Sequence, residues 1–301
     1  MTATSYDGEH LRSEMREYLH IEGRRRLDDS WEKIWIPTSS TREAFKELED
    51  CMRAARSTKP LGLVITGEAD TGKSRTMKAF RDEHKPKTNP ESEFAEFPVV
   101  YINSPDKPSR TEVYKKILAE IGHPILYNAG EEDLHRHTLN MIRGCNVGTI
   151  IIDEIHDVSR ERMGNQTLEF LRFLKNFINE TGRPFVVGGV PLILGLIGSD
   201  LQLSGRLNTV IRLEPLKIVD FSKVVLAYEK FMPLRRPTNF RADENAVQFL
   251  YTHSRGYIGL LSKLLKNASK IAIDSGEERI TLDILQKVPD RSMHAVGHRQ
   301  A

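Results

Sequence analysis

A glycine-rich segment that could hold phosphate follows the apolar run LGLVIT at residues 61–66. Its sequence, GEADTGKS, fills the pattern G-x-x-x-x-G-K-[ST] between a predicted strand and a predicted helix. In this setting backbone N–H groups surround phosphate oxygens, and the start of the helix directs its positive end at the same anion. We expect Lys73 to hold the β and γ oxygens and Ser74 to bind Mg²⁺. The residues expected to bind nucleotide are Gly67, Glu68, Ala69, Asp70, Thr71, Gly72, Lys73 and Ser74.

A pair of acids ends another apolar run, TIIIDE, at residues 149–154. An acid at the end of a buried strand beside a P-loop can hold Mg²⁺ through water, and we assign that role to Asp153. Glu154 is then placed to orient and deprotonate an attacking water, which favours an NTPase over a small-molecule kinase. The alternative is that Glu154 only caps the next helix. With His156 the run also resembles a DExH helicase, but no second P-loop-like unit follows.

The elements that must position these residues are predicted strands alternating with helical segments. The runs lack polar alternation, as is typical of parallel strands covered by helices on both faces. We therefore predict an α/β fold with a parallel five-stranded sheet. The predicted strands are LGLVIT (61–66), PVVYIN (98–103), TIIIDE (149–154), PFVVGG (184–189) and TVIRLEP (209–215).

The two ends of the chain differ from this alternating region. Residues 1–40 are polar and charged and are predicted to form a loose N-terminal arm, with Trp31 and Trp35 as its anchors to the core. Residues 41–216 are predicted to form the nucleotide-binding α/β domain. Amphipathic patterns from 217 to 289 predict a small helical lid, and 290–301 a flexible tail.

Composition narrows the class of protein. Of 301 residues, 39% are hydrophobic and 29% charged, and no run approaches the length that spans a bilayer. No apolar signal region follows the first residues, so we expect a cytoplasmic protein with no membrane partner. The formal net charge of +2 is too small for the whole surface to attract nucleic acid, so any such contact must come from a local basic patch. Two cysteines are too few for a disulfide framework or a four-thiolate zinc site.

Segments along most of the chain carry a family resemblance. The P-loop GEADTGKS, PVVYINSPDKPSRTEVYKKIL, IIIDEIHDV, QLSGRL, FMPLRRPT and RGYIGLLSKLLKNAS occur in this order. Together they resemble the TniB/TnsC group of AAA+ transposition regulators. The resemblance implies an AAA+ P-loop NTPase fold with a C-terminal helical lid, with ATP and Mg²⁺ as cofactors. It also implies head-to-tail rings or helical filaments on double-stranded DNA that engage a transposase and, in some systems, a CRISPR-associated targeting complex.

Carried over by position, the resemblance assigns roles to individual residues. The water-activating glutamate falls on Glu154, the Mg²⁺ ligands fall on Ser74 and Asp153, and the arginine that acts on a neighbouring subunit falls on Arg206. Arg206 could alternatively be a surface arginine that pairs with nearby acids. Two positions depart from the family. The polar sensor after the fourth strand is replaced by Val190, so hydrolysis is expected to be slow, and Leu260 follows GYIG where some relatives carry a basic residue.

Two groups of cations could contact DNA or a partner. Lys107, Arg110, Lys115 and Lys116 follow the second strand, in the region that faces DNA in the resembled family. Such cations would contact phosphates without reading sequence, although the interspersed acids also fit a solvated helix face. The second group, predicted to share one face of a lid helix, is interpreted first as solvated surface; it comprises Lys263, Lys266 and Lys270. The cluster Arg24, Arg25 and Arg26 is interpreted in the same way.

The leading functional hypothesis is an ATPase switch that oligomerises on DNA, marks an insertion site for a transposase and disassembles on hydrolysis. A second hypothesis is a scaffold that binds ATP and hydrolyses little of it. A third is a helicase or initiator loader of similar build.

Overall fold

The structure, a computed structural model, describes residues 7–53, 62–88, 90, 93–106, 109–123, 129–155 and 164–289. By contacts between residues the chain divides into two units. One unit holds Ser39–Glu68 and Lys73–Leu213. The other combines the chain up to Thr38, Ala69–Gly72 of the P-loop and the chain from Glu214 onward. The predicted boundary at residue 40 stays a prediction.

The first unit is built on a five-stranded sheet in the order β2-β3-β4-β1-β5. Every neighbouring pair of strands is parallel, which confirms the predicted parallel sheet. The carboxyl ends of all five strands therefore lie at one edge, where the P-loop and the acidic pair follow β1 and β3. The strands are β1 Leu63–Thr66, β2 Val99–Asn103, β3 Thr149–Asp153, β4 Phe185–Gly189 and β5 Thr209–Arg212.

Helices cover both faces of the sheet, as its continuous apolar strands require. Val64 belongs to one buried cluster while its neighbours Leu63 and Ile65 belong to another, because successive strand residues point to opposite faces. The helices of this unit are α3 Ser39–Arg53, α4 Lys73–Glu83, α5 Arg110–Glu120, α6 Glu131–Gly144, α7 Gly164–Thr181, α8 Ile193–Gly198 and α9 Leu201–Ser204.

The second unit is helical and has one buried apolar cluster. It contains the lid helices and two short helices from the N-terminal segment, with 3-10 turns at Glu17–His20 and Trp31–Lys33. Its helices are α1 Ser13–Arg16, α2 Arg25–Ser30, α10 Ile218–Glu229, α11 Glu244–Ser254, α12 Ile258–Asp274 and α13 Leu282–Gln286. Among the described residues, no helix is both long and apolar enough to cross a membrane.

The N-terminal segment is packed rather than loose. Leu27 is fully buried in the cluster shared with the lid helices. Trp31 is 7% exposed, donates its indole N–H to Ser262 Oγ at 3.0 Å and stacks on Tyr228 with ring centroids 6.3 Å apart. The prediction of a loose arm is wrong. The apolar residues of this segment are separated by charged ones, so its polar composition does not reveal the face that these apolar residues bury.

The arginine cluster in this segment is only partly a solvated surface. Arg24 and Arg25 are exposed, with 57% and 82% of their side chains accessible, and they pair with Asp274 and Asp29. Arg26 is fully buried and bonds to Glu278. Three consecutive arginines on a helix point in different directions, and here one of them enters the core.

Candidate nucleotide site

The P-loop follows β1, an interior strand of the sheet, and ends where α4 begins at Lys73. Its turn depends on left-handed backbone at Asp70, with φ of +61°, and at Gly72, with φ of +95°. Glycine adopts such angles without the steric cost that a side chain brings. The loop therefore turns sharply just before the N-terminus of α4, as the chain does in phosphate-binding loops of this kind.

Lys73 is held over the loop that it is expected to serve. The residue is 8% exposed, and its Nζ donates to the backbone carbonyls of Gly67 at 2.8 Å and Glu68 at 2.7 Å. Phosphate oxygens are charged acceptors and form stronger bonds with an ammonium than neutral carbonyls do. Ser74 lies in the first turn of α4, next to Lys73. This arrangement fits a nucleoside triphosphate with Mg²⁺.

Asp153 is fixed at the end of β3 by burial and by two hydrogen bonds. It is 1% exposed, accepts from the Tyr101 hydroxyl at 2.8 Å and accepts from the backbone N–H of Glu154, also at 2.8 Å. Burial, followed by the nearby Asp153 carboxylate, raises the pKa of Tyr101 well above its ordinary value. The Tyr101 hydroxyl therefore remains a donor at physiological pH and keeps the Asp153 carboxylate oriented.

Glu154 has the opposite environment although it is the next residue. It is exposed and adopts φ of +59°, a left-handed angle that is uncommon for residues other than glycine. Such a conformation costs about 1–3 kcal/mol and is concentrated at functional sites. The turn separates a buried carboxylate that suits a metal from an exposed carboxylate that water can reach.

Gly188 on β4 makes room for Asp153. A Cβ at this position would lie 2.4 Å from Asp153 Oδ1 and 2.5 Å from Met77 Cε, so any side chain would displace one of them. From the sequence, Gly188–Gly189–Val190 indicates only the loss of a polar sensor. Sequence reasoning also missed Tyr101, whose signal is a hydroxyl-bearing residue within the otherwise apolar run VVYI.

The backbone of Arg206 lies at the amino-terminal ends of the strands, opposite the end where the P-loop follows β1. Its backbone carbonyl accepts from Gly62 N–H at 2.6 Å, immediately before β1, whereas the P-loop follows that strand. The four residues of β1 span about 13 Å between these two points. The Arg206 side chain has no hydrogen bond or ion pair within the described part of the chain, so nothing there supports the surface-pair alternative.

The lid helix α12 contacts the tip of the P-loop inside the helical unit. Gly259 N–H donates to the Asp70 carbonyl at 2.8 Å, and Lys263 Nζ lies 2.9 Å from Asp70 Oδ1. A Cβ on Gly259 would lie 2.5 Å from Asp70 Oδ1, which explains the last glycine of GYIG. Lys266 lies 3.7 Å from Asp28. Two of the three lid lysines therefore pair with acids while their side chains stay 50% and 26% exposed, so the interpretation of this group as solvated surface stays a prediction.

The cations expected to contact DNA are only partly gathered. Lys107 lies outside the described residues. Arg110 is 51% exposed at its side chain, lies 3.6 Å from Glu131 and covers the Phe173 ring at 6.0 Å. Lys115 pairs with Glu112 at 3.1 Å on its own helix. Lys115 and Lys116 follow Arg110 by five and six positions on α5. At 3.6 residues per turn, they lie about 140° and 120° around the helix axis from Arg110, on a different face.

Comparison with known proteins supplies independent findings. The family model described as "Bacterial TniB protein" matches residues 26–217. No curated protein sequence matches the chain.

Three similar solved structures are 15–16% identical to this chain, and at this identity they show the fold alone. The Aeropyrum pernix ORC2 protein, in ADPNP–ADP complexes, has a TM-score of 0.62 at 16% identity, over 86% of this chain and 71% of its own. Cdc6p from Pyrobaculum aerophilum has a TM-score of 0.60 at 15% identity, over 87% and 70%. The Aeropyrum pernix ORC1 protein in complex with DNA has a TM-score of 0.57 at 16% identity, over 84% and 65%. The fold is thus the expected AAA+ fold.

Proposed function

Since the chain belongs to the bacterial TniB family, we propose that it is an ATP-dependent regulator of DNA transposition. It assembles on duplex DNA, marks the insertion site and recruits or activates a transposase, and ATP hydrolysis disassembles the oligomer. The observation that carries this proposal is the acidic pair beside the P-loop. A buried Asp153 and an exposed, left-handed Glu154 are what hydrolysis needs, whereas a purely structural nucleotide would need only the loop.

The roles in hydrolysis follow from these positions. Lys73 leaves the carbonyls of Gly67 and Glu68 and holds the β and γ oxygens of ATP. Ser74 and Asp153 hold Mg²⁺, which when bound neutralises charge that develops on the phosphates. Glu154 orients the attacking water and accepts its proton.

Arg206 supports a role for a second copy of the chain. Because its backbone lies at the sheet edge opposite the P-loop, Arg206 is suited to complete a neighbour's site rather than its own. A head-to-tail oligomer supplies this geometry, since each subunit then presents one edge to the P-loop edge of the next. An arginine added to a phosphoryl-transfer site in this way stabilises charge in the transition state.

Duplex DNA is proposed to contact the cations around the start of α5. The Arg110–Glu131 and Lys115–Glu112 pairs are exposed, and such pairs contribute only about 0–1 kcal/mol, so phosphates can replace the carboxylates. Lys116 has no ion pair among the described residues. Lys107 is included on the family resemblance alone. An archaeal structure of similar fold was solved in complex with DNA.

One observation favours the scaffold hypothesis as the second candidate. No polar side chain stands in the run Gly188–Gly189–Val190 at the end of β4, where the resembled family has its polar sensor. Without that contact to the γ-phosphate or the water, ATP would persist and the oligomer would be long-lived.

Two variants separate binding from hydrolysis. We expect Lys73→Ala to lose ATP affinity and DNA-dependent assembly together, because its ammonium contacts ground-state phosphates. Glu154→Gln should retain ATP and form longer-lived assemblies, because only the water loses its base. Fluorescent ATP titration, phosphate release and electron microscopy of protein with duplex DNA measure the three properties. Equal loss of ATP binding in both variants would refute the assigned roles, and phosphate release that stays at background in the unmodified protein would favour the scaffold.

A further inference from the structure

A cavity in the helical unit is lined by four lysine and arginine side chains among its ten described residues. It has a volume of about 560 Å³, and the P-loop contributes no residue to its described wall. The N-terminal segment provides Arg12, α10 provides Lys223, and the chain that follows α10 provides Lys230 and Arg241. All four are exposed. Net positive charge in a concave surface attracts anions more strongly than the same charge spread over a convex face.

These cations are largely unpaired. Among the described residues, Arg12, Lys230 and Arg241 form no ion pair. Lys223 lies 3.0 Å from Asp220 on its own helix, with 71% and 50% of the two side chains exposed. Exposed i,i+3 pairs of this kind are weak, so Lys223 remains available to a stronger anion.

An acid in the cavity wall, Glu229, is turned toward backbone. Glu229 accepts from the N–H of Asn239 and from the N–H of Phe240, the latter at 3.2 Å. Asn239 has φ of +61° and lies in a tight turn after α10, which the Glu229 carboxylate stabilises through these two hydrogen bonds. Its charge is thereby partly satisfied by N–H groups and opposes a bound anion less than a free carboxylate would.

The wall of the cavity is anchored where the N-terminal segment meets it. Arg12 N–H donates to the Lys230 carbonyl at 2.9 Å, and the Arg12 guanidinium covers the Phe231 ring at 5.0 Å. His10 Nε2 bonds to the Leu234 carbonyl at 3.0 Å. These contacts fix one cation of the cavity relative to the others before any ligand arrives.

Resting on the proposed assembly on duplex DNA, we propose that this cavity binds the sugar-phosphate backbone of the duplex, as a contact separate from the cations of α5. An acidic peptide would need an apolar anchor, but Leu226 and Phe231 are partly buried against the core of the unit and Arg12 covers a face of Phe231. Single-stranded nucleic acid would need free aromatic faces for stacking, whereas Phe231 of the wall packs against the core of the unit and has one face covered by Arg12. Unpaired lysines and arginines without such anchors fit backbone phosphates.

The test compares two charge-neutralising double variants of the full chain. Lys230→Gln with Arg241→Gln removes two cations of the cavity. Lys217→Gln with Lys287→Gln removes two exposed cations of the same unit that do not line the cavity. Binding to a fluorescent duplex of arbitrary sequence is titrated with ATP over a range of salt concentrations. ATP-dependent self-assembly without DNA is followed in parallel by light scattering.

We expect the slope of log affinity against log salt to flatten by about 0.9 for each phosphate that the cavity variant no longer neutralises. The control variant should keep the original slope, and both should self-assemble normally. An unchanged slope in the cavity variant, equal flattening in the control, or no binding of duplex DNA by the unmodified chain would overturn this proposal. Displacement of the duplex by polyglutamate in the unmodified chain but not in the cavity variant would reassign the cavity to an acidic protein. Binding of duplex DNA by the unmodified chain without ATP-dependent assembly on it would instead count against the proposed function alone.

Discussion

Single atoms around Asp153 decide what the acidic pair can do. Tyr101 and the backbone of Glu154 hold the carboxylate, and Gly188 leaves the space that it occupies. Asp153 and Glu154 can thus be adjacent in sequence and opposite in environment. The two donors hold the buried Asp153 carboxylate in one orientation, while the exposed Glu154 carboxylate is in contact with water.

Gly188→Ala is therefore expected to impair hydrolysis through Asp153. The added Cβ would lie 2.4 Å from Oδ1, about 1 Å inside ordinary contact. A displacement of that size at a reacting centre can cost about 100-fold in rate. Gly195→Ala is the matched control, because its Cβ would meet nothing within 4 Å and alanine favours a helix. Steady-state phosphate release at matched thermal stability is the measurement, and equal rates for the two variants would contradict this role of Gly188.

At the scale of elements, local sequence motifs could be predicted more fully than contacts between distant segments of the chain. GEADTGKS and TIIIDE could be recognised because each motif lies within a few consecutive residues. The contact of Tyr101 with Asp153 depends on the register of β2 against β3. The fit of Gly188 depends on a side chain from the neighbouring strand. Neither contact can be predicted from one segment of sequence. The packed N-terminal segment was missed for the same reason, since the partner of Arg26 is Glu278, far along the chain.

The buried pair of Arg26 and Glu278 is expected to hold the N-terminal segment in place. Arg26→Ala would remove the buried partner of Glu278, but the Arg235 N–H at 3.2 Å and the Arg235 guanidinium at 4.0 Å remain, so we expect a loss of about 1–3 kcal/mol. Arg25→Ala removes a side chain that is 82% exposed and should change the free energy of unfolding by less than about 0.5 kcal/mol. Both tryptophans of the chain, Trp31 and Trp35, lie in this segment, so urea unfolding followed by tryptophan fluorescence reports on it directly. Coincident transitions for the two variants would show that the buried pair contributes no stability.

A separate prediction concerns the proposed contact of the α5 cations with duplex DNA. Lys116→Gln should flatten the salt dependence of duplex binding by about 0.9 if Lys116 contacts one phosphate. Base sequence should hardly matter, because phosphate contacts carry no sequence information. Arg143→Gln, an exposed cation in the last turn of α6, is the control. Equal slopes for Lys116→Gln and the unmodified chain would remove Lys116 from the DNA surface. The lid residue Lys263 is unsuitable as a control because it pairs with Asp70 of the P-loop.

For the whole molecule, the placement of Arg206 connects the single chain to its assembly. The edge that carries Arg206 and the edge that carries the P-loop are separated by the length of β1. A subunit therefore contains all the proposed parts of the catalytic site but does not bring them to one place. Under the proposed function, hydrolysis would depend on neighbouring subunits, which would link the ATPase cycle to growth and loss of the oligomer.

Mixing two inactive variants tests this central claim most directly. Arg206→Ala should bind ATP but lack the arginine for its neighbour, while Lys73→Ala should keep that arginine and bind no ATP. We predict that phosphate release, near background for each variant alone, rises on mixing and is greatest near equal amounts. A chain with both Glu154→Gln and Arg206→Ala should stay inactive with Lys73→Ala, because its own site lacks the base. Background phosphate release at every mixing ratio of Arg206→Ala with Lys73→Ala would contradict a shared site between subunits.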